Sequence, residues 1–204
     1  MSYSAVIYDC DGVMFDSFEA NFTFYQRIME MMERPPLERG DSVAMRVLHT
    51  WSNRDVLAFL FPEPRELERA LQCAAAIRYA DLVPMMVMEE GFVETLECLK
   101  GRVELAVCTN RTTSMDLVME TFGLGGYFSL VMTAEKAPRP KPHPDPLLCV
   151  LEHFGLRPQE ALFVGDSEVD RQAAQAAGVP FAAYRADLPA LARLDRHSDI
   201  LRLL

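Results

Sequence analysis

Hydrophobic positions follow two patterns along this chain. The first is a short unbroken apolar run that stops at a polar residue or a glycine: Ala5-Val6-Ile7-Tyr8 before Asp9, Leu105-Ala106-Val107-Cys108 before Thr109, and Ala161-Leu162-Phe163-Val164 before Gly165-Asp166. Such runs predict strands buried on both faces in a parallel sheet. The second has helical spacing. Phe18, Phe22, Tyr25, Ile28, Met29 and Met32 trace one face of a helix that starts at a capping-box-like Asp16 and Glu19 and stops before Pro35-Pro36. Three more helices are expected over 41–49, 53–61 and 64–82, separated by Trp51-Ser52 and Pro62-Glu63-Pro64, with no strand-like alternation between them.

From Glu89 onward helix and strand alternate. Helices are predicted over 90–100, 113–122, 145–154 and 169–177, and strands over 103–109, 128–133, 161–165 and 180–184. Gly123, Gly155 and Gly178 stand where a left-handed C-cap is needed. Residues 188–194 read as a last helix and 199–204 as a short edge strand. The alternation predicts an α/β fold, a doubly wound, Rossmann-like parallel sheet with right-handed crossovers. The helices between them amount to about seventy residues inserted after the first strand, enough for a small all-helical cap domain. The expected boundaries are 1–16 and 85–204 for the core and 17–84 for the cap. Asp16-Ser17 and Val83-Pro84 serve as linkers, the second because a residue before proline is driven out of the helical region. Two short linkers permit hinge motion. Met85, Met86 and Met88 read as gap-filling core at the junction.

Composition narrows the function. The 204 residues are half apolar and a quarter charged, enough for one sizeable core plus an accessory domain. A net charge of -10 argues against a nucleic-acid partner, whose phosphates require a basic footprint. No segment approaches the roughly 18 apolar residues of a membrane span, and residues 1–4 carry no basic leader region. No membrane association and a cytoplasmic location are therefore expected, as a monomer or homodimer. Five widely spaced cysteines, without a Cys-x-x-Cys, suggest neither a disulfide framework nor zinc. They read as small core residues, Cys10 included, since no histidine stands near it in sequence to activate it.

The candidate chemistry sits where the apolar runs stop. Asp9 and Asp11 are two residues apart, so an extended backbone can present both carboxylates on one side, and Gly12 turns the chain there. Such a pair is either a solvated turn or a site compensated by a divalent cation or a held proton. Thr109-Asn110-Arg111 can cap a helix or cradle a phosphate at its N-terminus. Arg139-Pro140-Lys141-Pro142-His143-Pro144-Asp145-Pro146 is a rigid loop whose lysine is either exposed or catalytic, and Gly165-Asp166-Ser167-Glu168-Val169-Asp170 adds two more carboxylates. In open parallel sheets ligands bind at the carboxyl ends of strands, so these segments can converge on one crevice.

Together and in this order, across essentially the whole chain, the four segments resemble the motifs of the haloacid dehalogenase-like phosphohydrolase superfamily. The resemblance implies a magnesium-dependent phosphatase of a small phosphorylated metabolite. Asp9 would be the nucleophile that forms an aspartyl-phosphate. Asp11 would be general acid and then general base. Magnesium would be held by Asp9, the Asp11 carbonyl and Asp166, with Asp170 positioning a metal-bound water or capping its helix. Gly12, the Thr109 hydroxyl, the Asn110 N–H and Lys141 would contact the phosphate, Lys141 bridging it to Asp9. Asp11 disfavours a dehalogenase and a cap without lysine disfavours phosphonate cleavage, which leaves the phosphoglycolate phosphatase and β-phosphoglucomutase-like branch. Arg139-Pro140 departs from the glycine that branch leads one to expect before the lysine. The alternatives are a phosphomutase and a non-catalytic phosphoester-binding protein. Substrate choice is expected of His49, Trp51 and Arg54, at a break between two cap helices. The competing reading has Trp51 in the cap core, Asn53 capping a helix and Arg54 solvated.

Overall fold

The computed structural model describes residues 3–204, so the sequence reading of residues 1–4 falls in part on Met1 and Ser2, outside the described residues. Two compact units emerge: the chain up to Asp16 together with Met88–Leu204, and Ser17–Val87. The two-residue strands β2 (Phe15–Asp16) and β3 (Val87–Met88) lie where the chain passes from one to the other.

The first unit is built on a six-stranded sheet. Its strands are β1 (Ala5–Tyr8), β4 (Glu104–Cys108), β5 (Leu130–Met132), β6 (Ala161–Gly165), β7 (Phe181–Tyr184) and β8 (Ala192–Leu194), in the order β5-β4-β1-β6-β7-β8 and all parallel. Every residue of β1 and of β6 is buried, which is why these strands read as continuous apolar runs. Helices α5 (Phe92–Leu99), α6 (Ser114–Thr121), α7 (Asp145–Phe154) and α8 (Glu168–Ala177) alternate with the strands, giving the expected doubly wound α/β core. On one face Ile7, Ala106 and Phe163 join Leu147, Val150 and Leu151 of α7 and Ala173, Ala174 and Ala177 of α8 in one buried cluster. In another, Tyr8 and Phe92 meet edge to face at 5.4 Å and His197 stacks on Tyr184 at 4.4 Å. The chain steps outward from β1 through β4 to β5 and then returns to β1's other side with β6. This reversal is the switch point that opens a crevice beyond the end of β1.

The second unit is helical: α1 (Phe18–Met31), α2 (Ser42–Thr50), α3 (Asn53–Leu60) and α4 (Pro64–Ala76). Asp41 caps α2 by accepting from the Val43 and Ala44 N–H groups, and Ser52 caps α3. Among the described residues no helix is long and apolar enough to cross a membrane.

Four local expectations are corrected. The helix expected over 64–82 stops at Ala76 and is followed by single 3-10 turns, Tyr79–Asp81 and Val83–Met85. Leu82 and Val83 are buried, and in a continued helix Leu82 would point about 120° away from the buried Ala70 face. The helix expected over 188–194 is instead β8, which pairs with β7 through Ala182↔Ala192 and Tyr184↔Leu194. Pairing with β7 satisfies the backbone groups along that strand's edge. The tail expected as a strand over 199–204 lies in a 3-10 helix, His197–Arg202, because the Asp199 carboxylate accepts from the Arg196 N–H and closes a cap. At α1 the N-cap is Ser17 rather than Asp16, and its side chain makes no capping bond.

Candidate active site

Register places the first, second and fourth motif segments side by side. Tyr8 pairs with Val107 on one side and Val164 on the other, so Asp9, Cys108 and Gly165 come level, with Thr109 and Asp166 one step beyond. The Asp9 N–H donates to the Val164 carbonyl at 2.9 Å, which ties the last rung to the sheet.

Gly12 turns with φ +74, and a Cβ there would lie 2.0 Å from Asp166 Oδ2. A glycine is thus required for the loop of the first motif to pack against the carboxylate of the last. Asp9, Asp166 and Asp170 each offer an oxygen within 4.8 Å of the others.

Lys141 enters from the loop before α7 and is buried. Its ammonium lies 2.8 Å from Asp9 Oδ1, 2.6 Å from Asp170 Oδ1 and 3.0 Å from the Cys108 carbonyl, one acceptor for each of its three protons. Burial by itself would lower the Lys141 pKa, but Asp170 and Asp9 outweigh it and hold the group charged. Asn110 fixes the backbone beneath: its Oδ1 accepts from the Lys141 N–H and its Nδ2 donates to the Lys141 carbonyl, both at 3.0 Å. Asp170 is fully buried. Its second oxygen accepts from the Ser167 hydroxyl at 2.6 Å and the Ser167 N–H at 3.1 Å, completing the N-terminal cap of α8. Asp170 is therefore both a helix cap and the partner that orients Lys141.

Thr109 is buried, and its hydroxyl accepts from the Arg111 N–H at 3.1 Å. Asp11 is gripped by the Arg111 guanidinium, Nε on one oxygen at 2.8 Å and Nη2 on the other at 2.6 Å. Sequence reasoning singled out neither Arg111 nor the Asn110 side chain. The available signal was a cation three positions past the end of β4, which neighbours β1. Cys10 and Cys108 are buried, and burial raises the pKa of both thiols, as expected of packing residues.

The cluster of carboxylates could hold a cation. Four carboxylates, Asp9, Asp11, Asp166 and Asp170, face Lys141 and Arg111, which leaves the formal charge one divalent ion would neutralise. Burial, then Asp170, push the Asp9 carboxyl up to about 7 despite Lys141, and burial with Asp170 and Asp9 raises Asp166 well above the usual range. An all-oxygen donor set suits a hard ion such as magnesium. Both Asp170 oxygens are already used by Lys141 and Ser167, so Asp9 and Asp166 are the carboxylates best disposed to hold it.

In the helical unit, His49 stacks on Phe18 at 4.5 Å with its Nδ1 3.5 Å from Asn21 Nδ2. Trp51 is 43% exposed and meets Phe59 edge to face, so it is not a core residue of that unit, and Arg54 is exposed in the first turn of α3.

Comparison with known proteins agrees with this geometry. A model of the haloacid dehalogenase-like hydrolase family matches residues 6–184. The chain is 30% identical over 197 residues to phosphoglycolate phosphatase of Escherichia coli O157:H7, covering 86% of this chain and 78% of that protein. It is 32% identical over 187 residues to phosphoglycolate phosphatase 1 of Pseudomonas aeruginosa, covering 87% and 68%. Among solved structures, a HAD-superfamily hydrolase of subfamily IA, variant 1, from Geobacter sulfurreducens is 65% identical with a TM-score of 0.80, covering 99% of this chain and 96% of that one. The chain belongs to the haloacid dehalogenase-like hydrolases, on the branch of the phosphoglycolate phosphatases, and is a phosphoric monoester hydrolase.

Proposed function

We propose that the protein is a magnesium-dependent phosphatase that hydrolyses a small phosphorylated metabolite through phosphorylation of Asp9. The observation that carries this reading is Asp9 itself: a carboxylate at the carboxyl end of the central strand, oriented by a buried lysine and facing Asp166. Phosphate monoesters hydrolyse so slowly unaided that rate enhancements reach about 10²¹, most of it from positioning and charge.

Asp9 would attack phosphorus as the bond to the leaving alcohol breaks, and Asp11 would give its proton to the departing oxygen. A water would then attack the phosphorus of the aspartyl-phosphate and lose its proton to Asp11, releasing phosphate and restoring Asp9. Lys141 would bind a phosphate oxygen while keeping Asp9 in place, joined by the Thr109 hydroxyl and the Asn110 N–H. Magnesium held by Asp9, Asp166 and the Asp11 carbonyl would supply the charge that offsets repulsion between Asp9 and the substrate dianion. Phosphoglycolate, named for the relatives in Escherichia coli and Pseudomonas aeruginosa, is the first substrate to try. The cellular setting we propose is cytoplasmic, in keeping with cysteines that are all unpaired.

The test is phosphate release from a panel of phosphorylated metabolites, with magnesium and with chelator, for the native chain and Asp9→Asn. Release that needs magnesium and disappears in the variant is expected. Release that survives Asp9→Asn would overturn the assignment of the nucleophile.

A further inference from the structure

Asp11 acts in the reaction above from a loop, and the far end of that loop is tied to residues the reaction does not use. Between Cys10 and Phe15 the loop closes on itself: the Cys10 carbonyl accepts from the Met14 N–H at 2.9 Å and the Phe15 N–H at 3.1 Å, and the Gly12 N–H donates to the Phe15 carbonyl at 2.8 Å. The Met14 carbonyl is used outside the loop, where it accepts from the Glu89 N–H at 2.9 Å. Glu89 is in turn held by its side chain, which is only 14% exposed. Its Oε2 accepts from Arg185 Nη1 at 2.6 Å and from the Tyr184 hydroxyl at 3.3 Å. Arg185 follows β7 directly and is itself fixed: its N–H donates to the Leu194 carbonyl at 2.8 Å, its Nε donates to the Asp195 carbonyl at 3.1 Å, and its guanidinium lies 5.1 Å from the centre of the Tyr184 ring. Its φ is +48, a conformation that costs a residue with a side chain and that glycine adopts freely. An arginine placed there against that strain points to a role for its guanidinium.

We propose that Arg185 and Glu89 are positioning residues for Asp11 and act through the Met14 carbonyl. The ion pair fixes the chain where it re-enters the first unit, and the Glu89 N–H then fixes the end of the loop that carries Asp11. Without the guanidinium, the largely buried Glu89 carboxylate loses its charged partner and keeps a neutral hydroxyl at long range, which favours its turning toward water. The tie to Met14 weakens with it, and Asp11 meets the leaving-group oxygen out of line. Misplacing a reacting group by 1 Å costs about 10²-fold in rate. The effect falls on proton donation in particular, because Asp9 is anchored separately, by its N–H on the Val164 carbonyl and by Lys141. This inference deepens the phosphatase reading and rests on its role for Asp11 as general acid.

The experiment measures kcat/KM, which reports the steps through the first phosphoryl transfer, on 2-phosphoglycolate and on p-nitrophenyl phosphate. The first has an alkoxide leaving group that needs a proton, and the second a phenolate that departs without one. Arg185→Gly removes the guanidinium and eases the backbone. It should lose about 10-fold or more on 2-phosphoglycolate, a part of the roughly 10² to 10⁴ that a positioned acid contributes, and much less on p-nitrophenyl phosphate. Glu89→Gln should show the same selective loss, and the double variant no more than the larger single loss, because the two side chains act as a unit. Arg185→Lys, which restores a cation, should recover most of the rate. Equal losses on both esters, or no loss, would overturn the proposal and leave the pair a structural brace. Hydrogen exchange read by mass spectrometry tests the anchoring without turnover. In Arg185→Gly the peptide containing Met14 should exchange faster than in the native chain while the peptide containing β6 stays unchanged, and unchanged exchange at Met14 sinks the idea. If the native chain releases phosphate from neither ester, the phosphatase reading fails, while the exchange measurement still tests the tie from Arg185 to the loop by itself.

Discussion

Lys141 shows how one residue's role follows from its surroundings. A lysine in a proline-rich loop reads equally as an exposed cation, but here it is 2% exposed with each proton on an oxygen acceptor. Removing it leaves two buried carboxylates without compensation, a loss of about 3 to 5 kcal/mol for a broken buried pair. Lys141→Met should therefore lower the melting temperature. It should also lower kcat by about 10²-fold or more, as loss of one preorganised donor does. Gly12→Ala tests the opposite kind of constraint. A Cβ would meet Asp166 on a backbone already at positive φ, so the variant should lose about 1 to 3 kcal/mol and most of its activity. The positions of Asp9, Asp11 and Asp166 at or just past strand ends were legible from the apolar runs that precede them, whereas the burial of Lys141 in its loop was not. The Arg111–Asp11 fork was not, since it joins residues 100 apart and depends on which way a long side chain turns.

At the scale of elements, the strands with unbroken apolar runs were plain in the sequence because both faces are buried. β8 and the C-terminal 3-10 helix were not. Their form depends on partners: β8 is three residues long and exists by pairing with β7, and the last turn depends on a cap from Asp199. That same C-terminal turn buries His197 against Tyr184 and Phe92, and burial drives its pKa down to about 4. The folded state therefore refuses a proton that the unfolded chain accepts near 6.5. Its contribution is complete above pH 6.5 and is lost as pH falls toward 4, amounting to roughly 3 kcal/mol at the acid end. His197→Phe should flatten this part of the acid limb in urea titrations between pH 6.5 and 4. An unchanged limb would show that His197 already accommodates its proton.

For the molecule as a whole, the Asp9 and Asp166 carboxylates set up a conflict between folding and charge that the proposed magnesium ion would resolve. Asp9 and Asp166 have pKa values raised in the folded state, so stability without the ion is favoured below about pH 4 and erodes as pH rises toward 7. Magnesium should raise the melting temperature more at pH 8 than at pH 5. Asp166→Asn should stabilise the ion-free protein at pH 8 and remove most of the magnesium response. No magnesium response at pH 8 would contradict the proposed site. Doubly wound topology brings these groups together at one switch point, which explains why segments spread from residue 9 to residue 170 in the sequence act as one site.

The most direct test is to catch the phosphorylated enzyme. The native chain is mixed with magnesium and 2-phosphoglycolate, quenched in acid on the millisecond scale, digested and read by mass spectrometry. The account predicts a phosphoryl group on the peptide containing Asp9, formed before phosphate release and absent from Asp9→Asn. Phosphate released with no adduct, or an adduct on another residue, would contradict it.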